Sequence, residues 1–250
     1  MNDFDGLSQW LERAGAEITL VGGQAVALWE HLLGLPQQTE TVDIDFLGDA
    51  SEALGLAEAL GLECRVPAMD DQTPNTAILV NPQGEVVADF LAYVVGVNET
   101  DIRKRRLPVT SASGHVFYVL HPFDCLASRL ANVASLPSKR TPQGYAQLRS
   151  AVAVCRAYIT RLLGGDDERE AIRLANRVFD LALTDGAKRV YLAHGIDLLE
   201  AIPPLSLFRS ENFREENYPR RNQEIADRRD RYRRFLARFS GAEKPLNPRQ

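Results

Sequence analysis

Three features of this 250-residue chain predict an α+β fold, a mixed sheet with helices followed by a helical domain. Residues 1 to about 120 mix short β-rich runs with amphipathic helical stretches, and residues from about 122 onward carry helical periodicity almost throughout. A Gly-Gly step ends an early strand and opens a helix, and an Asp-x-Asp pair interrupts the apolar strand that comes next. The expected domains are residues 1–120 for the sheet, 121–240 for the helices and 241–250 for a flexible tail with two prolines. The functional site is expected in the cleft between the two domains.

Each element has a local reason. Leu7, Trp10 and Leu11 share one face of a helix expected over Asp5 to Gly15. Ile18 to Val21 reads as a strand that stops at Gly22-Gly23. Gln24 to Leu33 reads as a helix with Ala25, Leu28, Trp29 and Leu32 on one stripe and Gly34 just past its end. Thr41 to Leu47 is a strand. Ser51 is the expected cap of a helix that ends at Gly61. Thr76 to Val80 and Glu85 to Val95 are β-rich runs joined by the turn Asn81-Pro82-Gln83-Gly84, and His115 to Leu120 is a further strand. Pro122 suits the first turn of a helix reaching Leu136. Helices are expected over Tyr145 to Leu163, Asp167 to Leu183, Ala187 to Leu199 and Arg220 to Phe239, punctuated by Gly164-Gly165, Asp185-Gly186 and Pro203-Pro204.

Composition narrows the function classes. Hydrophobic residues make up 45% and charged residues 25%, so a sizeable core is available. A net charge of −5 argues against a bulk basic surface for duplex DNA and leaves room for a local basic patch. Cys64, Cys125 and Cys155 are far apart and form no CxxC pair, which disfavours a zinc site or a disulfide framework and fits idle thiols in a reducing compartment. The N-terminus lacks a basic segment followed by an apolar run, and no apolar stretch approaches the ~20 residues of a membrane span. A cytoplasmic location without a membrane partner is expected.

The chemistry concentrates in Val42-Asp43-Ile44-Asp45-Phe46. Alternation along a strand sends Asp43 and Asp45 to one face and Val42, Ile44 and Phe46 to the other. Two neighbouring carboxylates repel unless a positive charge sits between them. A divalent cation would relieve that repulsion, and all-oxygen ligation favours Mg2+ or Mn2+ over zinc. An isolated Asp-x-Asp more often marks a solvated strand edge, but this pair breaks an apolar strand, where two charges are costly to solvate. In Leu20-Val21-Gly22-Gly23-Gln24-Ala25 the glycines allow close backbone approach, and the helix start offers free N–H groups to a phosphate. A tight turn is the plainer reading of Gly-Gly alone, and neither a Walker A loop nor GxGxxG is present. Asp89 is a lone acid in the apolar run Val86-Val87-Ala88-Asp89-Phe90-Leu91, so it needs a metal, a base or a hydrogen-bond cluster, and a structural salt bridge would also serve.

Gly22-Gly23, Asp43-x-Asp45 and Asp89, in this order, resemble the DNA polymerase β-like nucleotidyltransferase superfamily over about residues 15 to 95. Val21 to Leu28 followed by Thr41 to Leu47 is similar to the bacterial branch that includes AbiEii-type toxins. The resemblance implies a nucleotidyltransferase fold and metal-dependent transfer of a nucleoside monophosphate from a nucleoside triphosphate to a hydroxyl of RNA, protein or a small molecule. It implies triphosphate binding by Gly22 and Gly23, metal ligation by Asp43, Asp45 and Asp89, and help from Asp89 in deprotonating the acceptor. It also implies an antitoxin as a candidate partner. Thr39 stands where that branch often has Arg, Arg129 where it often has Lys, and the stretch from Ser138 to Leu148 lacks its Lys-Asp-x-x-Asp pattern. A nucleotidyltransferase-like binding module without turnover is the alternative.

Four further features have two readings. Lys139 and Arg140 could grip a triphosphate tail or simply face water. His121 could be an acceptor-side base or a structural residue at a strand-to-helix junction. Asp124 reads as a helix N-terminal acid rather than a ligand. The stretch from Arg220 to Phe239 carries eight arginines against Glu224, Asp227 and Asp230. It could bind RNA phosphates, or it could be an amphipathic helix packed through Tyr232, Phe235 and Phe239.

Overall fold

The computed structural model describes residues 12, 18–39, 41, 43–68, 73–111 and 114–240. Apart from Glu12, the helix expected over Asp5 to Gly15 lies outside the described residues, as do Val42, the side chain of Phe239 and the tail. The chain divides into two compact units, Met1–Tyr158 and Ile159–Gln250. The fold class is α+β.

The first unit holds a seven-stranded mixed sheet in the order β3-β4-β5-β2-β1-β7-β6. Its strands are β1 (Thr19–Leu20), β2 (Ile44–Leu47), β3 (Glu63–Arg65), β4 (Asn75–Val80), β5 (Val86–Leu91), β6 (Leu107–Thr110) and β7 (Val116–Val119). The central pairs β2·β5 and β1·β7 are parallel, β1·β2 is antiparallel, and the outer pairs β3·β4, β4·β5 and β6·β7 are antiparallel. Its helices are α1 (Gly22–Leu32), α2 (Ala50–Leu60), α3 (Glu99–Arg105), α4 (Pro122–Ser135) and the greater part of α5 (Pro142–Gly164). The two helices that were expected to begin the helical half, α4 and α5, thus start in the same unit as the sheet.

Local chemistry accounts for the element ends. Asp49, not Ser51, caps α2: its carboxylate accepts from the N–H groups of Ser51 and Glu52, while Glu52 reaches back to the Asp49 N–H at 2.8 Å. This capping box satisfies two orphan donors reciprocally, and Gly61 ends the helix at φ 66°. The β4–β5 hairpin turns where expected. Asn81 Oδ1 accepts from Gln83 and Glu85, and the Asn81 N–H donates to Glu85 O at 2.9 Å. Phe46 and Phe90 are register partners on β2 and β5, fully buried with ring centroids 5.3 Å apart. Burying each such ring stabilises the sheet by roughly 2–3 kcal/mol. On the helical side, Trp29 of α1 donates its Nε1–H to Leu120 O at 2.8 Å, which ties α1 to the segment entering α4.

The second unit is helical: the end of α5, α6 (Glu168–Ala182), α7 (Asp185–His194) and α8 (Tyr218–Ser240), with short 3-10 turns at Leu198–Ala201 and Leu205–Leu207 and a π-type turn at Asn212–Asn217. Ala171, Leu174, Ala175, Val178, Phe179 and Ala182 form the buried stripe of α6 at three- and four-residue spacing. Helix α8 is anchored by buried Ile225 and by Arg229, whose guanidinium pairs with Asp197 and lies 3.8 Å from the Tyr191 ring centroid. Cys125 and Cys155 are buried free thiols and Cys64 is half-buried. No helix among the described residues is long and apolar enough to cross a membrane.

Candidate functional site

The site begins with a register. Parallel pairing of β2 with β5 sets Ile44 opposite Ala88, Asp45 opposite Asp89 and Phe46 opposite Phe90. Paired residues share a face and neighbours along a strand alternate, so Asp45 and Asp89 stand side by side opposite the Phe46–Phe90 core. Adjacent strands are ~4.8 Å apart, which leaves two carboxylates on one short stretch of sheet. Asp43 lies just before β2, is exposed, and accepts a hydrogen bond at its backbone carbonyl from Thr41 Oγ1 at 3.2 Å.

The electrostatics follow from burial first and from crowding second. Burial pushes Asp45 up to about 6; Asp89 and Asp43 push the same way, and Arg129 and Lys139 oppose them. Asp89 is also raised, first by burial and then by Asp43, against the hydrogen bond from Asn75 and the charge of Lys139. The Asn75 amide donates to Asp89 Oδ1 at 2.9 Å. A register shift between Asn75 and Ala77 accompanies that contact, with Thr76 Oγ1 bonded to Gly48 O at 2.8 Å.

The Gly-Gly turn meets this pair directly. Val21 donates its N–H to Asp45 O at 2.8 Å, which locks the end of β1 to β2. Gly22 then opens α1 with φ +69°, and a Cβ placed there would lie 1.8 Å from Asp45 Oδ2. Only glycine allows both the left-handed backbone and the carboxylate resting against it. At Gly23 a Cβ would meet Thr41 at 3.0 Å and Gln147 Nε2 at 3.3 Å. No side chain caps α1, and its first turn carries no acid. The start of the helix therefore offers N–H groups and a positive dipole end beside the carboxylates.

Cations complete the ring. Arg129 of α4 is largely buried; burial works against its charge and Asp45 supports it. Its Nη1 donates to Gln147 Oε1 at 3.1 Å, and its Nε is buried without a hydrogen-bond partner. Lys139 ends the 3-10 turn Pro137–Lys139 and acts on both Asp45 and Asp89. Gly144 fixes that turn, since a Cβ there would lie 2.0 Å from Lys139 O. Arg140 is committed elsewhere: its Nη2 donates to Ala134 O at 2.9 Å and its Nε to Val133 O at 3.2 Å, closing the end of α4. Every residue of this arrangement belongs to the first unit.

The donor chemistry fits a hard divalent cation: two carboxylates side by side, both raised first by burial, with Asp43 adding to the rise. Among the described residues no three His, Cys, Asp or Glu side chains converge closely enough to hold an ion by themselves. One or two carboxylates with phosphate oxygens and water is the usual way Mg2+ is held at a phosphate site. Asp45 and Asp89 are the pair that would hold it, with Asp43, whose charge acts on both, beside them.

Asn75, Gln147 and Thr41 belong to no motif that marks them in the sequence, and Arg129 stands out there only by its position. Asn75 gave no signal, because its reach to Asp89 depends on the β4–β5 register. Arg129 did give one: it is a lone cation in a helix whose neighbours Leu126, Ala127, Ser128 and Leu130 are all buried. His121 caps α4, its Nδ1 accepting from the Phe123 N–H at 3.1 Å, and its ring packs edge-on against Tyr158. Asp124 lies in the first turn of α4, as expected, and is paired with Arg105 at 2.8 Å. Comparison of the chain with models of known protein families gives no match, and comparison with curated proteins gives none.

Proposed function

We propose that this protein is a metal-dependent nucleotidyltransferase that moves a nucleoside monophosphate from a nucleoside triphosphate to a hydroxyl. The observation that supports it best is the in-register pair Asp45–Asp89 set against the Gly22 backbone. In this reading the N–H groups at the start of α1 bind phosphate oxygens, and Lys139 and Arg129 balance the negative charge around them. Asp45 and Asp89, with Asp43 beside them, would hold Mg2+, which when bound would supply a positive charge for the phosphate oxygens. The acceptor oxygen attacks the α-phosphorus, the bond to pyrophosphate breaks, and Asp89, with its raised proton affinity, takes the hydroxyl proton.

The test is incubation of the full chain with magnesium, each of four labelled triphosphates and cell extract. Label should pass to an acceptor from at least one triphosphate, and Asp43→Ala and Asp45→Ala should abolish it while both variants melt like the native protein. Undiminished labelling by either variant eliminates the metal role.

A second reading has its own support. Arg129 already opposes the charge of Asp45. Thr39, where the resembling branch often has Arg, is buried and bonded to Glu30. Both features suit a nucleotide- or partner-binding module without turnover. Tight triphosphate binding with no label transfer from any of the four would select it.

A further inference from the structure

The second unit carries a feature the carboxylate site does not use. Helix α8 has opposite faces of different character. One face is packed by Ile225, Arg229 and Tyr232. On the other, Arg220, Arg231, Arg234 and Arg238 fall within about 40° of one line at 100° per residue. All four are exposed, and none has an acidic partner among the described residues.

The remaining arginines of the helix are accounted for. Arg221 pairs with Asp180 and Glu224, Arg229 with Asp197, and Arg233 with Asp230. Arg228 makes only a long contact with Glu224 at 4.0 Å. Arg231 and Arg234 use Nε to touch their own helix, at Asp227 O and Asp230 O. Both residues are otherwise exposed.

The final two turns therefore concentrate positive charge on a chain whose net charge is −5. Beside the stripe, Phe235 is 53% exposed, with one side of its ring stacked on Tyr232 at 6.4 Å between centroids. An aromatic ring and arginine planes in one exposed stretch match unpaired bases on a phosphate backbone: the rings stack and the guanidinium forks hold phosphates.

We infer that the arginine stripe Arg231, Arg234 and Arg238, with Phe235 beside it, is a docking surface for single-stranded RNA. Duplex DNA suits it less, since the chain as a whole is acidic and one helix offers a narrow strip of charge. The inference stands without the nucleotidyltransferase reading, because binding is measured apart from turnover.

The test is fluorescence anisotropy of a labelled mixed-sequence 12-mer RNA with the full chain, without triphosphate or magnesium. Three phosphate contacts give a log–log salt slope near −2, so affinity should fall roughly 15- to 20-fold between 50 and 200 mM salt. The triple variant Arg231→Ala/Arg234→Ala/Arg238→Ala should bind at least about tenfold more weakly at 50 mM salt and lose most of that slope. Phe235→Ala should weaken binding roughly fivefold or more and leave the slope unchanged. The three arginines lie off the packed face, so the triple variant should melt like the native protein, whereas Phe235 stacks on Tyr232 and its variant is compared at a temperature where both proteins are folded. The proposal is overturned if native protein fails to bind the RNA, or if the triple variant binds with native affinity and slope. It is equally overturned if duplex DNA, single-stranded DNA or polyglutamate of equal length binds as tightly as the RNA.

Discussion

Two pairs of acids in the first unit show opposite solutions to the same problem. Glu30 and Asp124 are among its most buried acids, with residue exposures of 2% and 1%. Each is fully answered. Glu30 accepts from the Gln38 and Thr39 N–H groups and from Thr39 Oγ1, which closes the loop after α1. Asp124 takes both prongs of the Arg105 guanidinium, at 2.8 and 3.0 Å. Asp45 and Asp89 are less buried but poorly supplied with donors, so burial raises their proton affinity, and the charge of Asp43 adds to the rise in each. Stabilising carboxylates are surrounded by donors. Carboxylates set against one another make the fold less stable and suit a ligand that brings positive charge.

Removing one acid from each pair sharpens the contrast most. Asp45→Asn should lower transfer by a factor on the order of 10⁴, about 5.5 kcal/mol in the barrier, with stability unchanged or raised. Asp124→Ala should do the reverse. It takes two charge-assisted hydrogen bonds from Arg105, which keeps only its more exposed partner Asp101 at 3.3 Å, and should cost about 2–3 kcal/mol of stability. Activity per folded molecule should be retained. Urea midpoints and label transfer on the same samples separate the two, and a large stability loss in Asp45→Asn would break the comparison.

Gly22→Ala is the intermediate case, since Gly22 belongs to both the fold and the site. A left-handed alanine costs about 1–3 kcal/mol. Its methyl would also occupy the place of the Asp45 carboxylate. Transfer should fall nearly as far as in Asp45→Asn, and the urea midpoint should drop as well. Native activity in a stably folded Gly22→Ala would show that Asp45 need not rest against the turn.

The sequence made some of this plain and hid the rest for physical reasons. Gly22-Gly23 and Asp43-x-Asp45 could be read because each is a local departure from an apolar pattern. The hairpin at Asn81 to Gly84 and the α4 start at Pro122 are likewise set by neighbouring residues. The Asp45–Asp89 register was not legible, since it pairs residues remote in the chain. Strand β3, Glu63-Cys64-Arg65, has no apolar alternation, and α3 buries only Ile102 and rests on its Asn98 cap, so neither gave a periodic signal. Ser51 looked like a cap, but Asp49 with Glu52 three residues on makes the stronger reciprocal pair. Arg140 looked as available as Lys139, and only the fold shows that it closes α4.

The smallest expected effects probe the raised proton affinity of Asp45 itself. The native state holds the Asp45 proton more tightly than the unfolded chain, because the folded value is about 6 against an ordinary 3.8. The native state therefore binds more protons across that interval, and the contribution of Asp45 to stability falls as pH rises from about 3.8 to about 6, then levels off. Paired acids such as Glu168 and Asp185, whose values are lowered, contribute with the opposite sign. The informative quantity is thus the difference between native protein and Asp45→Asn, measured as urea midpoints from pH 4 to pH 7. The variant should gain on the native protein through that window. Magnesium should then favour the ionised site: at ten times its Kd it adds about 1.4 kcal/mol at pH 7, a rise of roughly 3–5 °C in Tm, and less at pH 5. Asp45→Asn should lose most of that rise. If magnesium raises the Tm of native protein and variant equally, the crowded carboxylates are not where the cation binds.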